Sequence, residues 1–419
     1  MALAALPQDT AFDSTLSLIR KGYRFISDTC RALDTDVFET RLLFRSVICM
    51  RGAEAARIFY DPDKFLRHGA MPTRAQKTLV GVGGVQSLDG AAHRHRKHLF
   101  ISHLMNHERI NALAELHRMH WHSTLALWPI HEEMVLFEHA QNTLCRSVCA
   151  WAGVPLPPSE CSRRAKEFGR MIDSGARLGW HHWRGRMARS SSEKWLMAEI
   201  EKIRSSKQEA ATSILQAFAW HRDEHGDLLP CHTAAVELIN VLRPTVAIAQ
   251  LVALSALAIH QYPHVREKLL NQHSEYLDWF ILEVRRFYPF FPFLAAYARE
   301  DFNWKGWHFK KGTLTLLDIY GNNHDGRHWE QPDEFKPERF KNWSQDEYSF
   351  IANGGATYAE HHRCPGEWIT NRLMKVALKL LVQNLRYTVP KQDLSVSLAR
   401  IPTLPKSGMI IAPLSYSAS

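Results

Sequence analysis

The stretch Phe350-Ile351-Ala352-Asn353-Gly354-Gly355, followed by His361-His362-Arg363-Cys364-Pro365-Gly366-Glu367, decides the reading of this chain. A glycine-rich loop delivers one cysteine to the start of a helix. There, unpaired backbone N–H groups and the positive end of the dipole favour thiolate over thiol. Gly366 lets that helix approach a flat cofactor closely. A lone Cys-Pro-Gly triplet arises by chance, and a buried inert cysteine is the ordinary alternative, so the surrounding sequence has to choose.

Upstream lie Glu283-Val284-Arg285-Arg286 and then Phe335-Lys336-Pro337-Glu338-Arg339-Phe340. Residues three apart share a helix face, so Glu283 and Arg286 can pair, and Arg339 is the candidate third member. Each pair alone would be a surface salt bridge of little worth. In this order they resemble the Glu-x-x-Arg, Pro-Glu-Arg-Phe and haem-loop signatures of the cytochrome P-450 superfamily. The resemblance runs from end to end. It implies a mainly α fold with small β-sheets, a haem between a long distal helix and the proximal cysteine loop, and Cys364 as axial ligand of the iron. It makes Glu283, Arg286 and Arg339 a structural lock on that loop, and residues 1–419 one catalytic domain with a β-rich lobe over about 1–70. The commonest superfamily pattern places arginine two residues before the cysteine, whereas here that position is His362 and the arginine is Arg363. Both are candidate haem contacts, as are His93 and Lys97, one helical turn apart, and Arg67 in Arg67-His68-Gly69-Ala70-Met71-Pro72. Solvent-facing bases are the alternative for each.

The local patterns agree with that architecture. Val37 to Phe44 and Ser46 to Met50 read as a hairpin, and Ala53 to Tyr60 as a helix. From about His107 to Gln261 the pattern is helical, its longest element running from about Thr233 to Gln261 with apolar positions on most sides. Pro244 sits inside it, costing around 3 kcal/mol unless compensated. Tyr276 to Phe287 reads as a helix, Trp304 to Phe309 and Leu314 to Ile319 as strands, Tyr320 to Gly366 as a long irregular functional loop, about Pro365 to Leu385 as a helix, and Leu394 to Pro413 as a terminal hairpin.

Within Val241-Leu242-Arg243-Pro244-Thr245-Val246 the acid and alcohol that reductase-dependent relatives carry side by side are replaced by Arg243-Pro244. An arginine facing an apolar pocket needs an anion, because an unpaired buried charge costs several kcal/mol. Arg243 turned to solvent or to Glu237 is the alternative. The Arg-Pro pair resembles the bacterial fatty-acid peroxygenases, with further matches at Val85-Gln86-Ser87-Leu88-Asp89-Gly90 and Met171-Ile172-Asp173-Ser174. That family implies catalysis assisted by the substrate. The fatty acid's own carboxylate pairs with Arg243 and supplies the missing acid–base group, peroxide serves as oxidant without a redox partner, and the clamp directs oxidation to the alpha or beta carbon. Gln86 stands where alkene-forming members commonly have histidine, so hydroxylation is expected over decarboxylation. Leu79, Val80, Val85, Met171, Ile172, Phe290 and Phe293 are candidate walls for the alkyl chain, or simply core. Val80 and Gly175 stand where relatives often carry aromatic residues.

Bulk properties set the outer limits. With 419 residues and 45% hydrophobic composition, length leaves domain count open. No apolar run approaches the roughly 20 residues of a membrane span, the best being Leu251 to Ile259. Seven cysteines, an odd number, suit a reducing compartment. The expectation is therefore a soluble, cytoplasmic enzyme holding haem b (iron protoporphyrin IX), with a medium- to long-chain fatty acid and hydrogen peroxide as partners. The net charge of +9 is scattered, so neither nucleic acid nor membrane is expected as a partner. A reductase-fed monooxygenase, a haem sensor without turnover and a zinc site among the 24 histidines are the rival readings. The last lacks any closed four-ligand set.

Overall fold

The computed structural model describes residues 6–175, 179–206, 209, 212–271 and 274–417. At its centre runs the helix Cys231–Gln261, continuous through Pro244. By length and composition it could cross a membrane, contrary to the expectation from its apolar runs, but 94% of its apolar window is buried inside the protein. It is a core helix. The helices Leu136–Ala152, Trp180–Ser205 and Glu367–Lys379 pack against it, and one large apolar cluster fills the space between them.

The β-rich part is not built from residues 1–70 alone. Val37–Leu42 and Arg45–Met50 form the expected hairpin, with Leu43 and Phe44 both at positive φ in its two-residue turn. Leu314–Asp318 then pairs in parallel with Arg45–Met50, and Phe293–Ala298 and Phe65–Leu66 complete a five-stranded sheet. A hairpin pattern is local, whereas parallel pairing across some 260 residues leaves no local trace.

Several boundaries shift for identifiable reasons. The expected strand Trp304 to Phe309 is two strands, Phe302–Trp304 and Trp307–Phe309, because Lys305 and Gly306 take positive φ between them. The strand after it ends at Asp318, whose carboxylate accepts from the Gly321 N–H at 2.8 Å and caps a short helix, Ile319–Asn323. The helix after the cysteine starts at Glu367, and Leu385–Thr388 is already a strand. That strand pairs with Ile410–Tyr416, which replaces the expected hairpin over Leu394 to Pro413.

Candidate active site

The cysteine loop is held from behind by the helix Ser274–Phe287. Arg286 forks onto Glu283 at 2.7 and 2.8 Å and donates to the carbonyls of Asn323, Pro332 and Glu334. Arg339 reaches the same carboxylate at 3.1 Å and donates to the Glu330, Gln331 and Glu334 carbonyls. Glu283, Arg286 and Arg339 thus come together as expected, and both arginines tie down the segment before the loop.

The side chain that reaches the cysteine loop itself is one that sequence reasoning passed over. Arg285 donates to Asn353 Oδ1 at 2.6 Å, Glu367 Oε1 at 2.5 Å and Asn371 Oδ1 at 2.7 Å. The Asn353 carbonyl in turn accepts from the Cys364 N–H at 2.9 Å. Although burial works against ionisation of Glu367, Arg285 and Arg363 hold its carboxyl down at about 2. Glu367 therefore stays charged and braces both ends of the loop.

Arg363, a candidate haem contact, is engaged within the loop. Its Nε donates to Glu367 at 3.0 Å, its Nη1 approaches the Ala356 carbonyl at 3.3 Å, and its guanidinium lies 4.4 Å over the Tyr358 ring. It braces the loop from within. His362 stacks on His93 with centroids 3.9 Å apart and faces Asp89 at 3.9 Å. Burial pushes His362 down to about 4, and burial together with His362 and Lys97 pushes His93 down to about 2, so both rings are neutral. Lys97 donates to the His361 and Arg363 carbonyls at 3.0 and 2.6 Å, and burial lowers it to about 8. Arg67 donates to the Ala295 carbonyl at 3.1 Å and lies 4.2 Å from the Phe59 ring centre. The structure thus gathers His93, Lys97 and His362 at the cysteine loop. Arg67 is linked to them through Asp89, which accepts from the Arg67 N–H at 2.9 Å.

Cys364 is a free thiol. Burial pushes it up, against the Gly366 N–H, Lys97 and Asn353, which pull it down. The place of Cys364 at the helix start accounts for the Gly366 contribution, and the larger cost of burial comes from tertiary packing. A thiolate here needs a further positive charge, and a ferric iron supplies one. A Cβ on Gly366 would meet nothing nearer than the cysteine sulfur, at 3.6 Å, and φ there is negative. The protein's own packing does not require glycine at that point, whereas a flat group bound against the loop would. The residues fit a haem with Cys364 as its ligand.

On the opposite side, Arg243 is 5% exposed. Among the described residues its guanidinium donates from Nη2 to Asn240 Oδ1 at 3.3 Å, and Nε has no partner. Glu237, the alternative partner, is instead paired with Arg96 at 3.1 Å and accepts from Asn240 at 3.2 Å. Asn240 is a hub that sequence reasoning did not single out. Its Nδ2 also donates to the Val80 carbonyl at 2.9 Å and to Gln86 Oε1 at 3.3 Å, which ties Gln86 to Arg243. Burial, with repulsion from the equally buried Arg189, lowers the Arg243 guanidinium to about 9, and the Cys364 sulfur works the other way. At neutral pH Arg243 is a buried cation, and among the described residues no carboxylate pairs with it.

Leu79, Val80 and Ile172 form a small apolar cluster with Ala247, against which Phe290 and Met71 pack. Ala247 lies one turn beyond Arg243 on the same helix face, so this cluster adjoins the guanidinium. Two expected walls, Val85 and Met171, belong to the main core. Phe293 belongs elsewhere. The strand's alternation sends it to the outer face of the sheet, against the cluster of Phe25, Phe38 and Leu316. Gly175 adjoins this cluster of Leu79, Val80, Ile172 and Ala247, since a Cβ there would lie 3.4 Å from Leu79.

Comparison with known proteins settles the family. The cytochrome P450 family model matches residues 263–412. Among solved structures, P450SP alpha (CYP152B1), in complex with (R)-ibuprophen, is 47% identical, with 96% of this chain and 98% of that chain covered and a TM-score of 0.92. The chain belongs to the CYP152 family of cytochromes P450. P450EX alpha (CYP152N1) with myristic acid is 43% identical over 97% of this chain and 98% of that one, TM-score 0.93. An OleT variant in complex with arachidonic acid is 34% identical over 98% of each, TM-score 0.94. Curated relatives match over a shorter stretch. Cytochrome P450 3A15 of Cavia porcellus is 32% identical over 116 residues, 27% of this chain and 22% of that protein's length. As a P450, the protein is a haem protein of the oxidoreductase class, and the long helix and cysteine loop form the two walls of its haem site.

Proposed function

We propose that this P450 is a hydrogen-peroxide-dependent fatty-acid hydroxylase that works as one catalytic domain in the cytosol, without a redox partner. The observation that carries the reading is Arg243, a buried cation beside a small apolar cluster, with no carboxylate paired to it among the described residues. A carboxylate at the end of an alkyl chain satisfies both. Haem b held by Cys364 supplies cleavage of the peroxide O–O bond and the oxidising power for the C–H bond.

The protein's part is placement and proton handling. Arg243 offers a fork that fixes the plane of the substrate carboxylate, and Asn240 holds that fork from behind. Leu79, Val80, Ile172, Ala247 and Phe290 exclude water from the chain. The carboxylate oxygen directed away from Arg243 then takes the peroxide proton and returns it to the departing oxygen. With the carboxylate clamped, the alpha and beta carbons lie nearest the oxidant. Gln86 holds no titrating proton near neutral pH, unlike a histidine, which favours hydroxylation over loss of carbon dioxide.

The test supplies the carboxylate separately. A short carboxylic acid added with a substrate that lacks one should restore peroxide-driven oxidation in the wild type and fail to do so in Arg243→Ala. Equal oxidation with and without the added acid would remove the ground for substrate-assisted chemistry.

A further inference from the structure

The helix Trp180–Ser205 that carries Arg189 into the interior has a second face. Gly185, Ala188, Arg189, Ser192, Leu196 and Ile200 point inward. At about 100° per residue, Trp180, Trp183 and Met187 fall in one narrow sector on the opposite side. They are 70%, 57% and 67% exposed. Three large apolar side chains in a row at the surface call for a partner.

The charge around them is all of one sign. His181, Arg184 and Arg186 interleave with the apolar row, and the Arg186 guanidinium lies 5.4 Å from the Trp183 ring centre. No acidic residue offsets them in the first turn, where the positive end of the helix dipole makes a cation unfavourable. Packed beside this helix is the segment Gln76–Val80, whose Leu79 and Val80 belong to the small apolar cluster near Arg243 while Lys77 and the preceding Arg74 stay exposed. Burial lowers His182, and Arg74 and Arg186 lower it further, so the bases of the two segments form one field. Residues 70–82 and 179–192 contain no Asp or Glu.

We propose that this face docks on an anionic phospholipid bilayer, with Trp180, Trp183 and Met187 entering the headgroup boundary and Arg74, Lys77, Arg184 and Arg186 meeting lipid phosphates. Indole rings suit that boundary because one end is apolar and the other is wet. An exposed indole-bearing row among bases, in segments without Asp or Glu, matches an anionic lipid surface. Peripheral contact of this kind would run against the expectation that membranes play no part. That the docked enzyme draws its acyl substrate from the bilayer rests on the function proposed above. The surface itself does not.

The experiment uses haem-loaded full chain in flotation with phosphatidylcholine vesicles, with and without phosphatidylglycerol. The wild type should co-float with the anionic vesicles roughly tenfold more than with the neutral ones. A triple variant, Trp180→Ser, Trp183→Ser and Met187→Ser, should lose that co-flotation and keep wild-type peroxide-driven turnover of a short soluble acid. It should fall roughly tenfold on palmitic acid embedded in the vesicles. Co-flotation that ignores lipid charge or survives the triple variant overturns the proposal. So does a wild-type dimer that the variant abolishes while vesicles are never bound. If anionic vesicles bind as described but no acid is oxidised, the fatty-acid reading falls and the docking surface stands.

Discussion

Replacing Arg243 with leucine should move stability and activity in opposite directions. The guanidinium is removed from water and, among the described residues, has a single neutral acceptor in Asn240 and leaves Nε without a partner. Replacing buried charged groups with well-packed apolar side chains of similar volume is often neutral or stabilising, by up to about 4 kcal/mol. Leucine is shorter than arginine, so a residual cavity reduces the gain to about 1–2 kcal/mol, and it offers no sulfur to the iron. The pH dependence follows from the same group. Arg243 is lowered to about 9 from 12.5, so below pH 9 it is charged in both folded and unfolded chains and its penalty is constant. Above pH 9 the folded state sheds the proton first, wild-type stability rises, and the variant's advantage shrinks. Activity behaves otherwise. Two charge-assisted hydrogen bonds at about 1.5–3 kcal/mol each amount to roughly 10²–10⁴ in kcat/KM. Loss of the proton carrier's placement should appear in kcat as well as KM. Urea midpoints of the haem-loaded proteins at pH 7 and pH 10, with myristic acid turnover under peroxide, measure both. Saturating myristic acid should raise the midpoint of the wild type and leave that of the variant unmoved. A variant less stable than wild type at pH 7, or one that keeps wild-type turnover, would refute the reasoning.

Three other perturbations test separate parts of the account. Arg285→Lys cannot reach Asn353, Glu367 and Asn371 together, so it should cost about 3–5 kcal/mol and weaken the thiolate absorption near roughly 450 nm of the reduced, carbon monoxide-bound protein; an unchanged band would free the loop from Arg285. His117 is fully buried, accepts from Trp121 Nε1 at 2.9 Å and is held by burial at about 3. Between pH 6.5 and 3 only the unfolded chain takes up its proton, so stability is lost as pH falls through that window, and His117→Gln should flatten the slope of stability against pH by about 1.4 kcal/mol per unit. Gln86→His should raise the share of terminal alkene among products resolved by chromatography, and an unchanged ratio would remove Gln86 from control of that branch.

What was legible in the sequence was whatever short spacing encodes. Glu283 and Arg286 sit three apart on one helix, the glycines and Cys364 share one loop, and Arg243-Pro244 interrupts an apolar run. Each survives translation into the structure because its geometry is local. Arg285 was passed over because it lies beside the recognised Glu-x-x-Arg pair, and its partners Asn353, Glu367 and Asn371 are brought to it only by tertiary packing. Asn240 was missed for a similar reason, since its role depends on Val80 and Gln86 arriving from another segment. Phe293 was misplaced by a rule that counts apolar residues near a motif without asking which face of a strand they occupy. The outward Trp180, Trp183 and Met187 were hidden within a predominantly helical stretch, where composition cannot distinguish a core stripe from an exposed one.

The central claim is tested most directly by incubating the haem-loaded wild type with myristic acid and hydrogen peroxide, without pyridine nucleotide or any redox protein, and resolving the products by chromatography. The account predicts alpha- and beta-hydroxymyristic acid as the main products, with alkene minor. Turnover that requires NADPH with a ferredoxin and does not occur with peroxide would contradict it.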